Sequence, residues 1–279
     1  MWKERINGLL TRTTGYQIQK AGGPVAPPTP GPAPRKAATT AAEKPPKAPT
    51  RPKLPTHYDD DAKRIIERVT PRTMTGREKL FGLIVATRHI ATTGVPGAFV
   101  ECGVWRGGSM QAAALALSET GDTGRHLHLF DTYEGMTEPT EKDRRAKDGE
   151  SASQLLEKLG RDSSVWAVAG LDDVQAGMAE LDYPQDLIHF HQGKVEDTIP
   201  GEAPEQIAML RLDTDWYEST KHELEQLYDR LSPGGVLIID DYGHWEGSRL
   251  ATQEFMHSRG NEMMLLPLGT GRIGVKPLS

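Results

Sequence analysis

The sequence predicts an α/β domain: a doubly wound, mostly parallel sheet that closes with a C-terminal antiparallel hairpin. Three observations predict it. Apolar runs of four to six residues recur and end abruptly in polar or acidic residues, as strands buried on both faces do. Helix-length segments separate these runs, and strand–helix–strand units cross over right-handed and leave their strands parallel. The final two runs are joined only by Gly269-Thr-Gly271, a hairpin signal.

The elements follow in order. Residues 1–57 carry ten Lys/Arg against two Glu, whereas 58–279 carry 23 Lys/Arg against 37 Asp/Glu, so a basic tail precedes an acidic body. In residues 1–20, Trp2, Ile6, Leu9 and Leu10 sit at helical spacing beside Lys3, Arg5 and Arg12, which reads as a short frayed helix or, alternatively, a helix that docks on a partner or an anionic membrane surface. Residues 21–57 hold eleven prolines and bury too little to fold, which predicts an extended, disordered linker. From residue 58 a single domain is expected. Asp59 to Val69 reads as a short helix stopped by Pro71, and Arg77 to Ile90 as a longer one with Leu80, Leu83 and Ile84 on one face. Strands are predicted at Ala98–Cys102, His126–Phe130, Leu187–His191, Ile207–Leu212 and Val236–Ile239, with helices between them, and the hairpin at 263–276 brings the sheet to seven strands. Thr132 to Ser151 is polar and directly follows the second strand. Long irregular segments in compact domains are usually functional or disordered, so it is expected to be a lid over an acceptor.

Two groups of strand ends carry the chemistry. Met209-Leu-Arg-Leu-Asp-Thr-Asp215 and Gly235-Val-Leu-Ile-Ile-Asp-Asp241 each run from apolar residues into aspartates. The helix between them makes the strands parallel, so Asp213, Asp240 and Asp241 meet at the carboxyl edge, where open α/β sheets bind ligands. Crowded carboxylates repel one another unless a cation sits among them. All-oxygen ligands favour a hard ion, Mg²⁺ first, with Mn²⁺ or Ca²⁺ as alternatives. The competing reading has Asp213 and Asp215 capping the helix at Trp216. In the second group, Glu101-Cys-Gly-Val-Trp-Arg-Gly-Gly108 is a glycine turn spaced G-x-x-x-G-G, without the G-x-G-x-x-G of NAD sites. Asp131 at the end of the next strand suits the ribose of an adenosine-containing cofactor. Glu101, Gly103, Gly107 and Asp131 are therefore candidate cofactor residues, with Asp197 a further candidate border of the adenosine pocket.

Five motifs, Val100–Gly108, Phe130–Met136, Gly193–Pro200, Leu212–Thr220 and Leu231–Tyr242, resemble the macrocin O-methyltransferase family from about Thr75 to the C-terminus. The resemblance implies a methyltransferase-type, Rossmann-like sheet. It also implies S-adenosylmethionine and Mg²⁺ as cofactors and methylation of a sugar hydroxyl, in a glycosylated natural product or a polysaccharide. It implies metal ligation by Asp213, Asp240 and Asp241, with Asp213 as the base. The aspartates are also similar to those of catechol and caffeoyl-CoA O-methyltransferases, whose third ligand is usually Asn where this chain has Asp241. Two alternatives remain open: methylation of a phenolic, catechol-like hydroxyl, and a non-catalytic scaffold.

His244 follows the aspartate pair and is a candidate to hold the acceptor hydroxyl or assist proton transfer. Trp216, Tyr217, Tyr242 and Trp245 offer flat faces to a sugar or serve as packing. His126/His128 and His189/His191 alternate on strands, so each pair shares a face; packed or edge histidines are expected, and none has zinc spacing with cysteine. The one cysteine, Cys102, lies inside a strand and reads as a buried thiol. The acidic body and the lack of a recognition motif argue against a nucleic-acid partner. No apolar run approaches the ~20 residues of a membrane span, and no signal peptide is evident, so a cytoplasmic enzyme is expected. A saccharide or glycoside acceptor and a homo-oligomeric state complete the expectations.

Overall fold

The computed structural model describes residues 54–160 and 166–278, so the helix expected in 1–20 and nearly all of the linker lie outside the described residues. The last linker residues are described. Leu54 packs against the core, and the His57 ring meets Tyr58 edge-on at 4.8 Å.

Two helices precede the sheet. Helix α1, Asp60–Val69, begins where the Asp59 carboxylate accepts from the Ala62 N–H, and a short 3-10 turn at Thr70–Arg72 carries Pro71. Helix α2 spans Arg77–Thr93 and stops at Gly94, whose φ of 66° only glycine adopts freely. The alternating units follow: β1 Ala98–Cys102, α3 Gly108–Thr120, β2 Leu127–Asp131, α4 Ala152–Leu159, α5 Leu171–Ala179, β3 Ile188–Gln192, α6 Val195–Thr198, β4 Ile207–Leu212, α7 Tyr217–Leu227, β5 Leu231–Ile239, α8 Glu246–Ser258, β6 Leu266–Leu268 and β7 Gly271–Val275.

The seven strands lie in the order β3-β2-β1-β4-β5-β7-β6. The first five are parallel, and β7 pairs antiparallel with both β5 and β6. The order reverses beside β1, the topological switch point at which such sheets open a ligand crevice. One strand is longer than expected. Ser232-Pro-Gly-Gly235 lies outside the expected strand Val236–Ile239 but belongs to β5: a register shift opposite Ile207–Met209 accommodates it and Gly235 O accepts from the Lys276 N–H at 2.8 Å.

Alternation sorts the strand residues between two cores. Phe99, Leu127, Leu129, Met209, Val236 and Ile238 face α1, α2, α3 and α5. Val100, Cys102, Phe130, Leu210, Leu212, Leu237 and Ile239 face the other way, with Leu224 and Leu227 of α7 and Met256 of α8. Cys102 is fully buried, and burial pushes its thiol far above the usual range, which leaves it inert. No described helix is long and apolar enough to cross a membrane.

Candidate active site

The mouth forms where β1, β2, β4 and β5 end. On the α2 face, charged side chains occupy positions that strand alternation reserves for the core. Glu101 on β1 pairs in register with Arg211 on β4, and both are almost fully buried, with Arg211 3 % exposed. The Arg211 guanidinium holds four groups: Glu101 Oε1 at 2.5 Å, Asp213 Oδ2 at 2.8 Å, Asp240 Oδ1 at 2.7 Å and the Thr75 hydroxyl at 2.9 Å. Lys79, from α2, bonds the other Asp240 oxygen and the Asp240 carbonyl. Arg211 and Lys79 had no role in the sequence reading. The available signal was a guanidinium in the middle of a buried strand, which needs partners on the neighbouring strands.

This network changes the expected metal set. Asp240 carries both its oxygens to protein cations. Burial works against its charge, but Arg211 and Lys79 outweigh it and hold the carboxyl below the usual value. Asp215 joins the candidate ligands: oxygens of Asp213, Asp215 and Asp241 lie within 4.8 Å of one another, and Asp241 Oδ2 is buried without a partner. Burial, followed by mutual repulsion, pushes Asp213 and Asp241 well above the carboxylate range, and burial lifts Asp215 to about 7. Five carboxylates (Glu101, Asp213, Asp215, Asp240 and Asp241) thus face two cations. The surplus of negative charge and the orphaned oxygen fit a hard divalent cation at Asp213, Asp215 and Asp241.

Asp215 reaches the cluster through a left-handed backbone, φ 70°, and does not cap the following helix; Trp216 is the N-cap and makes no side-chain cap bond. Asp143 takes that task from across the chain. It is fully buried, accepts from the Tyr217 N–H at 2.8 Å with one oxygen, and from the Thr140 N–H and hydroxyl with the other. The segment expected to be a lid is fastened here. Arg144 O accepts from Glu246 N–H at 2.8 Å, Ala146 N–H donates to His244 O at 2.8 Å, and Trp216 Nε1 donates to Thr137 O at 2.9 Å. Asp143→Ala leaves the buried Tyr217 N–H without an acceptor and is expected to cost about 1–3 kcal/mol. Urea unfolding followed by tryptophan fluorescence measures it, and a midpoint equal to wild type would contradict the clasp.

The aromatic residues divide. Trp216 and Trp245 are buried, meet edge-on at 4.9 Å, and form a small core with Leu155, Leu156 and Trp166 beneath the segment. They pack and present no face to a ligand. Tyr217 is buried too, under the Lys142 ammonium at 3.3 Å. His244 remains at the rim beside Trp245; desolvation of its ring, followed by the charges of Lys79 and Arg145, lowers its pKa.

The glycine turn is built as a tight approach. Gly103 has φ 83°, and a Cβ there would lie 2.1 Å from the Asp213 carbonyl oxygen. Gly107, φ 79°, opens α3. Asp131 shapes this turn: one oxygen accepts from the Val104 and Trp105 N–H groups at 2.7 and 3.0 Å, the other from Tyr133 N–H at 2.7 Å. Glu101 Oε2 is buried without a partner, and burial lifts the Glu101 carboxyl to about 7 against the pull of Arg211. Trp105, Tyr133 and Asp215, all just past strand ends at this mouth, are non-glycine residues with positive φ. Such backbone strain concentrates at functional sites. Asp197 sits apart. It is exposed on α6, which packs with the second core, and its side chain makes no hydrogen bond among the described residues.

The histidines of β2 and β3 form one ladder. His128 and His189 are direct cross-strand partners, His126 Nδ1 lies 2.7 Å from His189 Nε2, and His128 Nδ1 lies 3.0 Å from His191 Nε2.

The chain matches the Macrocin-O-methyltransferase (TylF) family over residues 37–267. It belongs to that family. It is 41% identical over 170 residues to the 8-demethyl-8-(2,3-dimethoxy-alpha-L-rhamnosyl)-tetracenomycin-C 4'-O-methyltransferase of Streptomyces olivaceus, covering 61% of this chain and 62% of that protein. It is 33% identical over 170 residues to the Mycinamicin III 3''-O-methyltransferase of Micromonospora griseorubida, covering 61% and 65%. The match thus spans less than two thirds of these relatives' length. Among solved structures, the O-methyltransferase NovP superposes with a TM-score of 0.63 at 27% identity, over 74% of this chain and 82% of that one. The calicheamicin methyltransferase CalS11, at 19% identity and a TM-score of 0.55 over 77% and 91%, shares the fold. The seven-stranded sheet of this macrocin O-methyltransferase family member is thus the Rossmann-like sheet of methyltransferases.

Proposed function

We propose that this family member is an S-adenosylmethionine- and Mg²⁺-dependent O-methyltransferase that acts on a sugar hydroxyl of a glycosylated natural product. The carrying observation is the carboxylate surplus at the mouth, with Asp241 Oδ2 buried and unpartnered beside Asp213 and Asp215. A non-catalytic scaffold has no use for such a cluster, which costs stability through repulsion. The names of the relatives, a 4'-O-methyltransferase of a rhamnosyl-tetracenomycin and a 3''-O-methyltransferase of mycinamicin III, support the sugar acceptor.

The sulfonium methyl of the cofactor is already electrophilic, so alignment and a better nucleophile are what the protein must supply. A divalent cation supplies Lewis acidity that lowers the pKa of an acceptor hydroxyl from near that of water, ~15.7. Asp213, Asp215 and Asp241 would hold that ion. Asp213 would accept the hydroxyl proton, its carboxylate oriented by Arg211 at 2.8 Å. Asp240, itself held by Lys79, braces Arg211, and His244 at the rim would contact the acceptor. On the cofactor side, Gly103 and Gly107 let the backbone approach, Asp131 fixes the turn, and Glu101 Oε2 is a free acceptor. The 132–151 segment, clasped by Asp143, would cover the acceptor.

Methyl transfer from labelled S-adenosylmethionine to a panel of glycosides and catechols, with and without EDTA, tests the proposal. Glycosides should be methylated, EDTA should stop turnover, and Mg²⁺ should restore it. Full activity in EDTA would remove the cation, and turnover on catechols alone would replace the acceptor. Asp131→Ala should weaken S-adenosylmethionine binding by about 1–3 kcal/mol through loss of the turn's acceptor. Calorimetry reads this, and unchanged affinity in the folded variant would take Asp131 out of the cofactor site.

A further inference from the structure

The histidine ladder lies outside the catalytic mouth. His126, His128 and Phe130 alternate onto the sheet face opposite Leu127, Leu129 and Asp131. Register places His189 beside His128 and His191 beside Phe130 on that same face. The rings stack as a continuous column: His126 on His189 at 5.0 Å, His189 on His128 at 4.5 Å, His191 on Phe130 at 4.1 Å. Four imidazoles therefore share one edge of the sheet, and methyl transfer at the carboxyl edge uses none of them.

We propose that His126, His128 and His189 form a second, transition-metal site that binds one Zn²⁺. Each offers a ring nitrogen, and the three nitrogens lie within 4.8 Å of one another. Three imidazoles suit a borderline-soft ion such as Zn²⁺ and discriminate against Mg²⁺, which takes oxygen ligands. The two sites therefore sort ions by ligand chemistry: carboxylates at the mouth, imidazoles at the edge. His126 is exposed, which gives the ion a path from solvent. His128 Nδ1 is engaged by His191 Nε2, and His191 Nδ1 in turn lies 2.7 Å from the Glu202 carboxylate. That carboxylate–imidazole relay is the outer-shell support that metal-ligating histidines use, and it leaves Nε2 of His128 as the ligand atom. A tetrahedral ion with bonds of about 2.0–2.1 Å sets its ligands roughly 3.3 Å apart. His126 and His189, now 2.7 Å apart, need only a small ring shift, and their shared hydrogen bond gives way to the ion. Three protein ligands leave a fourth position for water.

The test is independent of the methyl-transfer reading, because its readouts are binding and spectra. The full chain, free of any polyhistidine tag and held in excess Mg²⁺, is titrated with Zn²⁺ by calorimetry, and with Co²⁺ by visible absorption. One Zn²⁺ equivalent should bind in the presence of Mg²⁺, and Co²⁺ should give ligand-field bands that Zn²⁺ abolishes. His126→Gln with His189→Gln should remove both signals, while Asp213→Asn should leave them unchanged. Glu202→Gln, at an exposed residue, should weaken Zn²⁺ by about 10–100-fold. If wild type takes up no Zn²⁺ in excess Mg²⁺, the proposal fails. It fails equally if the folded double variant binds as tightly as wild type. Should the double variant not fold, unchanged Zn²⁺ affinity in Glu202→Gln together with no Co²⁺ bands in wild type overturns it.

Discussion

Asp213→Asn is expected to lower turnover by about 10²–10⁴-fold, the loss that follows removal of a general base. The amide keeps the shape and one oxygen but cannot take the hydroxyl proton. S-adenosylmethionine binding should persist, because the glycine turn and Asp131 lie on β1 and β2. Neighbouring variants separate ion binding from structure. Asp215→Ala should weaken the divalent cation while the fold holds, since Asp215 faces Asp213 and Asp241. Asp240→Ala should act on stability instead. It strips a buried partner from both Arg211 and Lys79, and breaking a buried pair costs about 3–5 kcal/mol. Steady-state kinetics, Mg²⁺ titration and chemical denaturation on the three variants would read the pattern. An active Asp213→Asn enzyme would remove Asp213 as the base, and a stable Asp240→Ala protein with lost cation affinity would return Asp240 to the ligand set.

Gly103→Ala is expected to be the most damaging small substitution in the sheet. The backbone there has φ 83°, and the added Cβ would meet the Asp213 carbonyl oxygen at 2.1 Å, which is backbone and cannot swing aside. The left-handed conformation alone costs an alanine about 1–2 kcal/mol. Forcing β1 from β4 adds to it, for a total above about 4 kcal/mol. Gly107→Ala is the control: its φ is similar, 79°, but the nearest atom is the Val174 Cγ1 methyl at 3.2 Å. It should lose only the conformational term, about 1–2 kcal/mol. Guanidinium denaturation of both variants decides. Equal midpoints would mean that the approach of β4 to the turn is not what requires glycine at 103.

The two results draw on different information. The sequence was enough to place the strands, to make the first five parallel and to end in a hairpin, because burial on both faces leaves continuous apolar runs whose ends are marked by aspartate and glycine. It also determined that Glu101, Asp131, Asp213, Asp240 and Asp241 would stand at strand ends, and that Gly103 would make a tight turn. What it left open is which of these groups touch. Alternation assigns a residue to a face but says nothing of its neighbour across the sheet, which depends on register and on loops that return from far along the chain. Register brought Glu101 beside Arg211 and His128 beside His189. A helix preceding the sheet brought Lys79 onto Asp240, some 160 residues away in sequence. A left-handed φ turned Asp215 into the carboxylate cluster, and a long return loop placed Asp143 at the start of α7. Strand chemistry is written locally and survives translation into structure. The partners of buried charges are not local, and only packing selects them, because an unpaired charge in the interior is too costly to leave where it falls.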